Sequence, residues 1–377
     1  MNRLIYGDID TADYHIGISG GGTYAAPERD VTRYEIPGRN GDLVVDNGRY
    51  KNIEVTYPSF IARRFKAEVE NFRSALMRKR GYQKIEDTYH PDEYRMGYFA
   101  GMFEPETVGA YNNSARFDLR FSCKPQRFLK SGDTPIQLLT PFYMVGVYST
   151  QYIPHVAGET ISVTAVCPEG ETLTLTLSCY DANDTSASIQ REEKTIVNGQ
   201  TVIFTQPTLS VDSAYWKLFV DGYSNYKAIK FRVKTNTIYD GKPLAIDAWM
   251  TTELELTNPT GYATYPLFEV YGSIFPSVNL TNYSGDERTS GFMFLSSYTS
   301  GAKRLNLDCD LQYLYTDTGS NATKNLILSN MGSVGGEGFV FPVFGDDRIV
   351  ITEMNYGYAD KSYGLGLVNI YPRWWKL

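Results

Sequence analysis

One helical pattern stands alone in a chain otherwise written for strands. After Tyr57-Pro58-Ser59, apolar residues recur at Ile61, Phe65, Val69, Phe72 and Leu76, at steps of 4, 4, 3 and 4. That spacing predicts a helix with one buried stripe. Ser59 can cap its start, since Pro58 cannot lie inside it. Arg78, Lys79 and Arg80 suit the negative end of the helix dipole, and Gly81 supplies a stop. A solitary helix leaves the rest of the core to pleated layers.

Composition agrees with a mostly-β reading. The chain has 377 residues, enough for two or three domains with their own cores, and its 30 tyrosines and 33 glycines favour strands and tight turns. No apolar run approaches the roughly 18 residues of a membrane-spanning helix. The opening residues lack the long apolar centre of a signal peptide, so synthesis in a cytoplasm is expected.

Metal chemistry has no sequence signal. Cys123, Cys167, Cys179 and Cys309 lie far apart, as do His15, His90 and His155. No pair has ligand spacing, so reduced cysteines in β cores are the expectation. No motif calls for a cofactor. Residues 1–132 carry 20 Lys+Arg against 18 Asp+Glu, whereas the whole chain is at −7, so the acidic excess sits in the remainder. The helix itself is basic, with Arg63, Arg64, Lys66, Arg73, Arg78, Lys79 and Arg80. No groove-reading motif accompanies these charges, which favours a solvated or protein-facing surface over a nucleic-acid reader.

Strand patterns flank the helix. The segment from Asp30 to Glu35 leads into Pro37-Gly38-Arg39-Asn40-Gly41-Asp42, turn chemistry suited to a hairpin, and Leu43-Val44-Val45 follows. Ile53, Val55 and Tyr57 alternate with polar residues. After the helix come Gly81-Tyr82-Gln83-Lys84-Ile85-Glu86-Asp87-Thr88-Tyr89, Tyr94-Arg95-Met96-Gly97-Tyr98-Phe99 and Lys124-Pro125-Gln126-Arg127-Phe128.

In that order these segments resemble the N-terminal domain of the siphophage distal tail protein family, often called Dit. Asn258-Pro259 with Tyr265 to Ser273, Leu305 to Cys309, Phe341-Pro342 and Tyr371-Pro372-Arg373-Trp374-Trp375 resemble its C-terminal domain. The resemblance implies a mainly β protein: a ring-forming belt domain over 1–135, β-sandwich-like with one α-helix, and a galectin-like β-sandwich over 136–140 plus 246–377. It also implies a role. Six copies form a ring at the tail tip of the virion, joining the tail tube and tape measure proteins to the tail-associated hub. A receptor-binding protein and the host cell-wall saccharide are further implied partners, and DNA passes through the lumen.

The segment 141–245 departs from the simple family pattern. Ile161 to Val166 and Leu173 to Ser178 alternate strictly, and Ile229, Phe231 and Val233 face away from Lys230, Arg232 and Lys234. From Gly158-Glu159-Thr160 to Lys230-Phe231-Arg232-Val233 the segment resembles jelly-roll carbohydrate-binding modules, which implies an inserted β-sandwich of an evolved distal tail protein. A sugar ring stacks on an aromatic while its hydroxyls need polar partners. Tyr215, Trp216, Tyr223 and Tyr226 form one candidate cluster, near Asp221 and Asn225; Tyr180 and Asp181, with Asn183 and Asp184, form a second. Trp216 also reads as a core residue between sheets, and the Asp181–Asp184 run reads as an ordinary turn before it reads as a calcium site.

A hydrolase is the rival class. It needs two carboxylates on one cleft or a nucleophile elbow, and neither is marked in the sequence, so no catalytic residue is assigned. Gly20-Gly21-Gly22 opens no helix and is not a phosphate cradle. A stand-alone carbohydrate-binding or receptor-binding protein of a phage or tailocin is the alternative to the ring.

Overall fold

The computed structural model describes the chain apart from residues 1, 20–23, 63, 109–112, 140–141, 145–146, 222–227, 252, 272–275, 285–286, 295–303, 312, 317–324, 327–342, 346–347 and 357–365. Phe341-Pro342 and Gly20-Gly21-Gly22 lie outside the described residues. The described chain is mainly β, with one α-helix, Phe65–Arg78. Its contacts divide it into two compact units: Met1–Gly132 with Trp374–Leu377, and Asp133–Arg373.

The first unit is built around the strand Ser114–Leu129. It pairs antiparallel with Ile53–Ile61 along one side, from Ala115 opposite Ile61 to Cys123 opposite Ile53. Glu93–Phe99 and Glu106–Val108 also pair with it, as does the short strand Trp375–Lys376. The sheet then continues through Gln83–Asp87, Leu4–Tyr6 and Ile9–Asp10 on one flank and ends at Ile16–Ile18 on the other. Alternate residues Val55, Tyr57, Phe117, Leu119, Phe121 and Cys123 face inward, and the helix lays Phe72 and Leu76 onto them. The Phe72 ring centroid lies 5.3 Å from Tyr14, 5.7 Å from Phe103 and 6.4 Å from Phe117.

The helix begins later than its spacing predicts. Ser59 and Ile61 belong to the strand Ile53–Ile61, and Arg64, in left-handed geometry at φ 58°, turns the chain into the helix without a side-chain cap. The cause is an overlap of periods. Ile61 extends the helical steps back from Phe65, yet it equally extends the two-residue alternation of Tyr57 and Ser59, all of which are buried. The ladder with Ser114–Leu129 captures it.

A second, two-stranded sheet in this unit is the hairpin Arg29–Tyr34 with Leu43–Tyr50. Gly38 and Gly41 take φ of 80° and 82° in its turn, which a side chain would strain.

Among the described residues the second unit has three sheets. The largest runs Thr201–Thr205, Thr160–Val166, Lys230–Tyr239, Lys242–Met250, Ile136–Leu139, Leu367–Tyr371, Leu267–Tyr271, Arg304–Asp308, Tyr313–Thr316 and Asn325–Leu326. A six-stranded sheet holds Phe142–Met144, Val147–Ser149, Ala214–Asp221, Thr172–Asp181 and Gln190–Val197, with Ile153–Pro154 beside Ala214–Asp221. A four-stranded sheet orders Glu253–Thr257, Arg348–Tyr356, Pro276–Ser284 and Glu287–Phe294. Val163, Phe231 and Val233 of the first share one apolar cluster with Leu175, Leu177, Trp216 and Leu218 of the second.

The second of the two units is continuous across the junctions at 141 and 245. Ile136–Leu139 explains the continuity: it pairs parallel with Lys242–Met250 and antiparallel with Leu367–Tyr371. Strands from within 141–245 and strands from the C-terminal segment thus share one hydrogen-bonded sheet.

Candidate functional site

The aromatic face of the six-stranded sheet arises from simple alternation. Along Ala214–Asp221, Trp216, Leu218 and Val220 point into the core, so Tyr215, Lys217 and Phe219 point outward. Across the ladder Tyr215 stands opposite Tyr180, Lys217 opposite Ser178 and Phe219 opposite Thr176. Ile153–Pro154 pairs with Trp216 and Tyr215, which brings the preceding Tyr152 onto the same face. The Tyr152 ring meets Tyr180 edge-on at 5.4 Å and Tyr215 at 6.1 Å. All three tyrosines are half-buried.

Lys217 sits among these rings. Its Nζ lies 4.7 Å from the Tyr152 centroid and 5.2 Å from that of Phe219, cation–π distances. The residue is buried, at 9% exposure, and burial pulls its ammonium down to about 8. Burial likewise raises the Tyr180 hydroxyl above its ordinary value. At the end of the strand Asp181 Oδ1 accepts the Asn183 backbone N–H at 2.8 Å, and Asp184 Oδ1 accepts that of Ser186 at 3.0 Å. These are Asx turns, the ordinary reading of that run. Asp221 Oδ2 accepts the Thr176 hydroxyl at 3.2 Å.

The predicted residues divide accordingly. Tyr180 and Tyr215 come together, with Asp181 at the rim. Trp216 is a correction: it is fully buried in the core cluster and cannot stack on a ligand, because its strand turns successive side chains to opposite faces. Tyr223, Tyr226 and Asn225 lie outside the described residues. Sequence reasoning missed Tyr152, Lys217 and Phe219. The alternation Tyr215-Lys217-Phe219 was legible; the pairing that recruits Tyr152 was not.

In the first unit, an open groove of about 1060 Å³ is lined by the outward faces of Ile53–Ile61 and Ser114–Leu129, including Pro58, Phe60, Arg116 and Asp118, with Met102, Glu106 and Val108. Its mixture of apolar and charged groups suits protein contact better than a small molecule. Among the described residues no cluster of three or more His, Cys, Asp and Glu side chains is arranged to hold a metal ion.

No family model matches this sequence, and no curated protein does either. Among solved structures the chain is similar to the Dit protein of phage SPP1, described as a paradigm of the hub adsorption apparatus in phages infecting Gram-positive hosts. The identity is 11%, over 59% of this chain and 98% of that one, with a TM-score of 0.31. It is also similar to a chain of the phage p2 baseplate in its activated conformation. With Sr bound there, the identity is 9% over 98% of both chains, at a TM-score of 0.40. With Ca, it is 8% over 98% of this chain and 97% of that one, again at 0.40.

Proposed function

We propose that this chain is a structural protein of a phage tail tip that assembles as a hexameric ring, its second unit contacting host cell-wall saccharide. The hairpin of the first unit carries the reading. Its register places Tyr34 opposite Leu43 and Thr32 opposite Val45, so Tyr34, Leu43 and Val45 share one face. These side chains are 54%, 43% and 45% exposed, with Val44 on the opposite face at 55%. No other strand among the described residues pairs with either arm.

A two-stranded hairpin is marginal alone, and open strand edges with apolar faces invite another chain. Its internal ion pairs, Arg29–Asp46 at 2.8 Å and Arg49–Asp30 at 2.6 Å, hold solvent-exposed arginines and contribute little. An arm shaped this way gains its stability from a neighbouring copy. A head-to-tail contact that closes after six copies gives a ring. The family resemblance supplies the neighbours: tail tube and tape measure proteins on one side, the hub on the other, a receptor-binding protein at the periphery, and DNA through the lumen.

The tyrosine face supports the adhesive part. Tyr152, Tyr180 and Tyr215 offer ring edges and faces for a sugar, with Asp181 and Lys217 as polar partners. Six weak sites on one ring bind far more strongly than one. Light scattering tests assembly. Sedimentation with purified host cell wall tests adhesion, and release of reducing ends in that assay would indicate a hydrolase instead.

A further inference from the structure

The interior of the first unit holds a polar cluster that the tail-tip reading does not use. In the ladder between Glu93–Phe99 and Ser114–Leu129, a register shift between Cys123 and Arg127 sets Arg127 directly opposite Arg95. Both are buried, at 8% and 7% exposure. Like charges facing each other across a ladder are unfavourable, so carboxylates must offset them. Glu93 does so: its Oε2 lies 3.7 Å from Arg127 Nη1, while its Oε1 lies 2.6 Å from Lys376 Nζ.

Arg95, Arg127, Glu93 and Asp87, with His90 and Tyr57, line a cavity of about 10 Å³. That is the space one water molecule needs. Three buried atoms of the lining have no hydrogen-bond partner in the protein: Arg95 Nη1, Glu93 Oε2 and His90 Nε2. The chemistry of the first two is fixed, and that of His90 follows from its partner. Arg95 Nη1 only donates, and a carboxylate oxygen only accepts. His90 Nδ1 lies 3.2 Å from Asp87 Oδ1, which also accepts the backbone N–H groups of Tyr89 and His90 at 2.9 Å each. Asp87 Oδ2 accepts the Tyr57 hydroxyl at 2.8 Å. In the neutral ring, a carboxylate so engaged places the proton on Nδ1 and leaves Nε2 as a lone pair.

One donor and two acceptors therefore face a cavity of one-water size. We propose that this cavity is a binding site for a single internal water, which accepts from Arg95 Nη1 and donates to Glu93 Oε2 and His90 Nε2. An anion is disfavoured by the two acceptors, and a cation by the Arg95 donor. The water ties Glu93–Phe99 to the turn at His90 and, through Asp87 and Tyr57, to Ile53–Ile61.

A high-resolution crystal structure of the full chain, with a bromide-soaked crystal beside it, tests the site. The expected result is one spherical peak within about 2.7–3.2 Å of all three atoms and no anomalous bromide signal there. Nitrogen-15 spectra of the same protein are expected to show His90 protonated on Nδ1 and bare on Nε2. Absence of the peak, a bromide peak in its place, or an Nε2-protonated ring overturns the proposal.

Discussion

Single residues carry the sharpest consequences of this packing. Lys217 is held with its ammonium pulled down to about 8 from an ordinary 10.5. Below pH 8 the folded chain keeps the proton and bears the full desolvation penalty. Between about 8 and 10.5 the unfolded chain still holds the proton that the folded chain has released, so stability rises with pH across that window. Replacing it by methionine removes the effect. In denaturant melts, the stability of the wild type relative to Lys217→Met should therefore improve by on the order of 2–3 kcal/mol from pH 7 to pH 10.5. Parallel pH profiles would refute the assignment. Gly97 is equally constrained: a Cβ there would lie 2.7 Å from both Cys123 Sγ and Ile85 Cδ1. Gly97→Ala should lower stability by about 1–3 kcal/mol, read from the denaturation midpoint. What the sequence showed at this scale was face, not company. Alternation separates Trp216 from Tyr215, but only the ladder reveals that Tyr180 and Tyr152 lie beside Tyr215.

Elements were legible where one period dominated. The alternating runs at 161–166 and 173–178 lie within the strands Thr160–Val166 and Thr172–Asp181, and the turn chemistry at 37–42 makes a hairpin. The helix start was misplaced because Ile61 satisfies two periods at once, and a strand partner 54 residues later in the chain, Ala115, decides between them. Once formed, the helix is held by tertiary packing: Phe72 and Leu76 are its buried residues. Phe72→Ala should cost about 3–5 kcal/mol in a thermal or urea melt. The hairpin behaves oppositely. Leu43→Glu with Val45→Glu changes exposed positions, so the melting of the isolated subunit should move by no more than about 0.5 kcal/mol. The same pair of charges should abolish assembly in light scattering. A variant that still assembles would remove the arm from the interface.

At the scale of the whole molecule, the continuity of the second unit was not legible in the sequence. Ile136–Leu139 joins strands that come from distant parts of the chain, and no local pattern announces a sheet that runs across such a junction. Deleting 141–245 would therefore break the ten-stranded sheet, so adhesion is better probed by surface variants. Tyr180→Ala with Tyr215→Ala should leave the oligomer intact and reduce sedimentation with host cell wall; undiminished sedimentation would dismiss the tyrosine face as the contact. The annulus is the most direct consequence of the proposed role. Negative-stain electron microscopy of the purified 42.5 kDa chain at high concentration should show a six-fold torus with peripheral lobes. A field of well-folded single subunits, under conditions where tails assemble, would contradict it.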